Sequence, residues 1–448
     1  MPFANTASGL TRRELLARAA GSAVSVVGAG SILAQPADAR AFPAASAYGA
    51  EVPTAWFELA LRLVRTTPGF TPPVASRAFG YAGVALHEAL LPGLHTRGSL
   101  AGRLNGLPRA HAAWGRAYHW PTVANSALAA ILRLLFPTTP SENVAAMEEL
   151  EQRFGLEAQA VLPRGLFRRS TLRGAEVAQH VFDWSTVDGG HEAFLRNFPP
   201  YTPPSGPGLW TPTPPGFLPA LQPYWGANRP FLLHPHEAGL PGPPSYSEKP
   251  GSAFHAEALE CYRTTADLAP EQEAIARFWS DDPGQTATPA GHSVSILTEL
   301  LRDTDALLDR AAEAYAKLGI AVADAFIACW RTKYQYNLLR PVTYIERVID
   351  PNWTPLLTTP PFPEYTSGHS VQSGAAAQVL TDLFGEVAFS DHTHDRLGLP
   401  PRSFRSFREA AEEAAISRLY GGIHFRAAIE HGLDQGGRIG ERVSTLWI

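Results

Sequence analysis

Apolar residues return at three-and-four spacing in one stretch of this chain after another, and that period allows only one fold class. Pro53 to Val64, Pro73 to Leu90, Thr122 to Phe136, Pro140 to Phe154 and Thr171 to Trp184 carry it in the first half. Ala253 to Thr265, Pro270 to Trp279, Ala290 to Leu308, Ala311 to Tyr336, His369 to Phe384, Ser403 to Tyr420 and Phe425 to Val443 carry it in the second. Openings such as Pro140-Ser141-Glu142 and Asp267…Pro270 are helix start signals. The pattern predicts an all-α protein. Between its two helical sets, Asn197 to Pro250 crowds Pro, Gly, Trp and Tyr together. Proline removes amide donors, which excludes regular helix there, while the aromatic content is too high for a disordered linker. An ordered coil that packs over the helices and helps build the mouth of a site is expected. The expected divisions are residues 1–39, 40–196, 197–250 and 251–448.

With 448 residues the chain can bury a large core, as one large or two medium domains. Its formal charge of −5, with no long basic run, argues against nucleic acid or a membrane surface as partner. Two cysteines, Cys261 and Cys329, are too few for a disulfide scaffold, and Cys329 is expected as a buried thiol. At the N-terminus, Thr11-Arg12-Arg13-Glu14-Leu15-Leu16 precedes a mild apolar run, Ala19 to Ala34, and a small-x-small site at Ala37-Asp38-Ala39. This is the pattern of a twin-arginine signal, and it predicts export of the folded protein to the periplasm or beyond. The run is short and weakly apolar for an anchor, so no stable membrane span is expected.

The chemistry concentrates between Lys333 and His424. Lys333 and Arg340 stand seven residues apart, roughly 700° of helix, which predicts both cations on one helix face, with Pro341 ending or bending that helix. In Thr366-Ser367-Gly368-His369, Thr366 or Ser367 is a plausible helix N-cap, and Gly368 lets backbone N–H groups approach a ligand at the positive end of the helix. Arg418 and His424 would point apart on an unbroken helix, but Gly421-Gly422 between them can break it and turn both inward. One lysine, two arginines, a hydroxyl, a glycine amide and two histidines form a cradle for an oxyanion, with one histidine free to bond its central atom.

In this order, Lys333-x6-Arg340-Pro341, Ser367-Gly368-His369 and Ser417-Arg418-x3-Gly422-x-His424 resemble the motifs of the vanadium-dependent haloperoxidases and the related type 2 phosphatidic acid phosphatase superfamily. The resemblance implies two four-helix-bundle-like halves and a vanadate cofactor. His424 would be the axial nitrogen on vanadium. Lys333, Arg340, Ser367, Gly368 and Arg418 would hold the oxygens, and His369 would be the acid–base group. Lys333 would also polarise bound peroxide. It implies hydrogen peroxide and a halide as substrates, with an organic acceptor and an oligomer both left open. Halide preference would depend on the surroundings of His369, where Ser370, Phe362 and Tyr365 are candidates. An acidic residue ahead of the lysine helix can orient the acid–base histidine, and Asp281 is that candidate. The same residues suit an acid phosphatase working through a phosphohistidine, or a binder without turnover. Two positions depart from the pattern: Thr366 replaces a proline, and Ala428 replaces an aspartate that would steady the arginine or the histidine, with Glu430 near enough to stand in. Three further histidine features remain: His87, expected in the core; His234-Pro-His236, read as loop; and Asp391-His392-Thr-His394-Asp395, also read as loop and only faintly suggestive of metal.

Overall fold

The computed structural model describes residues 43–94, 98–110, 116–233 and 240–448. The export signal and the His234–His236 pair lie outside them. Among the described residues thirteen α-helices and one two-stranded sheet are found. Helices α1 (Glu51–Thr66), α2 (Pro72–Leu90), α3 (Trp120–Leu135), α4 (Ser141–Val161) and α5 (Arg164–Ser185) precede the proline-rich coil. After it come α6 (Ala253–Ala266), α7 (Pro270–Phe278), α8 (Thr288–Asp303), α9 (Leu308–Tyr336), α10 (Pro341–Val348), α11 (Gly368–Phe384), α12 (Phe407–Tyr420) and α13 (Arg426–Ser444). The all-α expectation holds, and no described helix is long and apolar enough to cross a membrane.

Helix α9 is the shared spine. Its 29 residues span roughly 43 Å, and almost every side chain from Leu308 to Trp330 is buried. One side packs on α2, which in turn meets α3 and α5; the other packs on α11 and α13, with α12 closing the second bundle. Glycine permits the closest crossings. A Cβ on Gly83 would sit 2.4 Å from the Tyr315 carbonyl, and one on Gly436 would sit 2.1 Å from the Val371 carbonyl. His87 is fully buried, its Nε2 3.0 Å from the Gly98 carbonyl, and Cys261 and Cys329 are free, buried thiols.

The described part of the coil is ordered against α9. Trp210 is fully buried, and its backbone amide donates to the Asn337 carbonyl at 2.7 Å. The buried Asp324 carboxylate on α9 accepts the amides of Phe231, Leu232 and Leu233 at 2.6–3.0 Å. The Leu221 carbonyl accepts from Trp330 Nε1 and the Tyr334 hydroxyl. These bonds satisfy backbone groups that a helix-free segment would otherwise leave orphaned.

Two local expectations are corrected. Lys333 and Arg340 do not share a helix: α9 stops at Tyr336, Asn337 takes the left-handed conformation (φ 46°), and Arg340 is the N-cap of α10. Pro341 therefore opens a helix, where its missing N–H costs nothing. Nor does one helix run from Ser403: Arg402–Phe404 (β2) pairs antiparallel with Phe389–Asp391 (β1), and α12 starts only after Ser406, whose side chain accepts the Glu409 amide at 3.2 Å.

Candidate functional site

The three sequence pieces converge at one end of the second bundle, around a cleft of ≈ 170 Å³. Gly368, His369, Arg418 and His424 line it beside Leu221, Phe326, Trp330 and Phe362. Lys333 and Arg340 are not on its lining; they lie behind it, brought together from different elements by the 362–364 backbone. Lys333 Nζ donates to the carbonyls of Pro363 and Glu364, both at 3.0 Å, and Arg340 Nε donates to the Phe362 carbonyl at 2.8 Å. Both cations also stack over the Phe362 ring, at 5.0 and 4.8 Å. Arg340 Nη1 donates to the Ile423 carbonyl at 2.8 Å and lies 3.2 Å from His424 Nε2. Its Nη2 is buried with no partner.

Ser367 is the N-cap of α11. Its hydroxyl oxygen accepts the Ser370 amide, and its own amide bonds the Ala428 carbonyl. A Cβ on Gly368 would meet only Trp330, at 3.7 Å, so its backbone is open toward the cleft. Gly422 (φ 73°) breaks the chain after α12 as expected, letting Arg418 and His424 face the same space. Arg418 is steadied by the Ser417 hydroxyl and the Ala276 carbonyl.

The charge on these groups is set by burial. It lowers Lys333 to about 7 and both Arg340 and Arg418 to about 10. His424 is held well below its ordinary value, first by burial and then by Arg340, Lys333 and Arg418. His369 is lowered likewise by burial and Arg418. Both imidazoles are neutral.

Glu364 is the residue that sequence reasoning missed. Fully buried, it accepts His424 Nδ1–H at 2.8 Å and the Phe425 amide at 2.9 Å on the same oxygen, Oε1. Because that oxygen also takes a backbone N–H, it is an acceptor, so the His424 proton sits on Nδ1 and the Nε2 lone pair is turned toward Arg340 Nη1, 3.2 Å away. Burial pushes Glu364 up to about 8. Glu430 does not replace the absent aspartate: it is exposed, 3.5 Å from Arg426. The only sequence signal for Glu364 was a lone carboxyl two residues ahead of Thr366, inside an apolar, proline-rich run.

Asp281 is where it was expected, in the turn after α7 with φ 51°, its Oδ2 3.8 Å from His369 Nε2. It also faces two histidines that were not assigned to it: His292 Nδ1 at 3.0 Å and His394 Nε2 at 3.3 Å. The 391–395 segment is thus divided. His392 is exposed and pairs with Asp395, whereas Asp391 and His394 are buried against the site. Of the residues proposed around His369, Phe362 lines the cleft. Ser370 instead packs against Gly432 of α13, and the Tyr365 hydroxyl bonds the Pro241 carbonyl and His431.

An oxyanion fits this arrangement. Buried Lys333, Arg340 and Arg418 act together on His424, and the unpartnered Arg340 Nη2 leaves a donor without an acceptor; the carboxyls nearby are Asp281 and Asp282 on the cleft lining and Glu364 behind His424, whose proton affinity burial raises.

Known proteins give the same picture. Residues 313–447 match the family model described as the VCPO second helical-bundle domain. The chain is similar to a bacterial vanadium-dependent iodoperoxidase of known structure, at 39% identity and a TM-score of 0.79, covering 88% of this chain and 96% of that one. Holo- and apo-type structures of a bacterial vanadium-dependent chloroperoxidase share the fold at 17% identity and a TM-score of 0.65. Each covers 86% of this chain, and 93% and 96% of their own. No curated protein sequence matches the chain.

Proposed function

The chain belongs to the vanadium-dependent haloperoxidases, and from that premise we propose that it holds vanadate at His424 and there oxidises halide with hydrogen peroxide. The observation that carries this is the fixed tautomer of His424: Glu364 accepts a hydrogen bond from Nδ1–H, and Nε2 of the neutral ring carries a lone pair among buried cations, 3.2 Å from Arg340 Nη1. Lys333, Arg340, Arg418, the Ser367 hydroxyl and the Gly368 amide would hold the oxygens. Bound vanadate would supply a Lewis-acid centre that activates peroxide without changing its own oxidation state.

The protein's own groups do the rest. The cations offset the negative charge that the site gathers, in a pocket where little water screens them. His369, neutral at rest and on the cleft wall, accepts a proton from incoming peroxide and returns it to the departing oxygen. Phe362, Trp330 and Leu221 keep that exchange away from bulk water. Among halides the reading favours iodide, supported by the 39% identity to an iodoperoxidase. It extends to export by the twin-arginine route, supported by the Arg12-Arg13 motif.

The test is halogenation of a β-diketone by vanadate-loaded protein with iodide, bromide or chloride, beside hydrolysis of p-nitrophenyl phosphate without vanadate. Vanadate-dependent oxidation, fastest with iodide and lost in His424→Ala, is expected. Rapid phosphate-ester turnover with no halide oxidation would instead make His424 Nε2 a nucleophile toward phosphorus.

A further inference from the structure

Behind His369 lies a chain of buried ionisable groups that the proposed reaction has not used. His292, in the second turn of α8, sits between two carboxylates. Its Nδ1 is 3.0 Å from both oxygens of Asp281, and its Nε2 is 2.7 Å from Asp391 Oδ2 at the end of β1. All three side chains are essentially inaccessible to solvent. Both ring nitrogens face anions, so both carry protons and the ring is an imidazolium. Burial alone would lower its pKa; the two carboxylates outweigh burial and push it up to about 10. Burial likewise works to raise Asp281, but the His292 charge wins and holds that carboxyl well below its usual range. Trp279 ties the assembly together. Its ring stacks on His292 at 4.4 Å and 18°, and its backbone acts on His369 to raise its proton affinity.

We propose that His292 and Asp391 are positioning residues for His369. They clamp the Asp281 carboxylate beside it, 3.8 Å away, and their charges set the pH range in which the His369 ring gains a proton. The clamp rests on the assignment of His369 as the acid–base group. Its groups come from four separate elements: Asp281 from the turn after α7, His292 from α8, Asp391 and His394 from the β1 end and the loop beyond, and Arg418 from α12. Asp282 and His424 complete the charged or titratable neighbours of Asp281 and His369, and Glu299 faces Asp391. With water excluded, a unit charge changed anywhere in this chain is felt at His369.

That gives the test a signature that loss of packing cannot copy. His292→Gln removes a positive charge and leaves the negative field at His369 stronger, so the His369 pKa rises. Asp391→Asn removes a negative charge and lets the imidazolium neutralise Asp281 more fully, so the His369 pKa falls. Shifts of about one unit each, in opposite directions, are expected. Both variants are made in the full chain. His369 is followed by NMR of 13C-labelled histidine, assigned with His369→Ala, and the acid limb of kcat/KM for halide oxidation is followed in the vanadate-loaded protein. The double variant should return close to the wild-type position. Shifts in one direction only, or none, overturn the clamp. So does stoichiometric zinc in the purified protein that is lost in His394→Ala, because His292 would then be a ligand and not a cation. NMR shifts as stated with an unmoved rate profile would uphold the coupling and remove His369 from the acid–base role.

Discussion

Glu364→Ala is the sharpest probe of the proposed cofactor site, because it replaces no group that would itself contact vanadate. Glu364 Oε1 receives two donors, His424 Nδ1 at 2.8 Å and the Phe425 amide at 2.9 Å. Removing it leaves Nδ1 without its acceptor and the tautomer unfixed, with Arg340 Nη1, 3.2 Å from Nε2, as the one remaining side-chain neighbour at hydrogen-bond distance among the described residues. Loss of such a partner typically weakens metal binding about 10–100-fold, or ~1.4–2.8 kcal/mol. Two buried donors are also orphaned, at about 1–3 kcal/mol each, partly offset because an awkwardly buried carboxyl is gone. Vanadate titration by calorimetry, with melting curves as a control, reads both effects. Glu364→Gln keeps an oxygen where both donors point and should lose no more than about threefold in affinity. Glu430→Ala, at an exposed pair, should lose nothing measurable. Wild-type vanadate affinity in Glu364→Ala refutes the tautomer argument. Equal losses in the alanine and glutamine variants refute the claim that an acceptor, not a charge, is what His424 needs.

Three more outcomes follow from the geometry. Gly436→Ala places a methyl 2.1 Å from the Val371 carbonyl at the α11–α13 crossing, and should destabilise the fold by about 1–3 kcal/mol in chemical denaturation. Ser367→Ala removes the N-cap of α11 and should cost about 1 kcal/mol of stability, with Ser367→Thr keeping most of it; vanadate affinity falls in the alanine variant because a hydroxyl donor goes too. His292, raised from 6.5 to about 10 by its two carboxylates, contributes stability that is whole below pH 6.5 and is lost as pH climbs through about 10. Tm measured from pH 7 to 10.5 should therefore fall in the wild type and fall much less in His292→Gln.

What the sequence disclosed about this site was whatever local rules govern. Ser367 caps a helix because a short hydroxyl side chain can reach a free amide three residues on, and Gly422 breaks one because only glycine takes φ 73° without strain. The helical period failed for Lys333 and Arg340: the helix ends between them, and the common target that gathers them is the 362–364 backbone, 22 to 31 residues away in the chain. No period encodes that. The supporting layer is harder still to see. Glu364 reaches His424 across 60 residues, and Asp391 reaches His292 across 99. A carboxylate on paper reads as solvated until its neighbours are known, since the same side chain serves at Glu430 as half of a surface pair and at Glu364 as the acceptor that orients a buried imidazole. The residues facing the cleft are thus recognisable by type and order, whereas those that fix their protons are recognisable only by position. Glu364 behind His424, and the His292–Asp391 pair behind Asp281, are both of the second kind, whereas Asp281 itself could be picked out from the sequence.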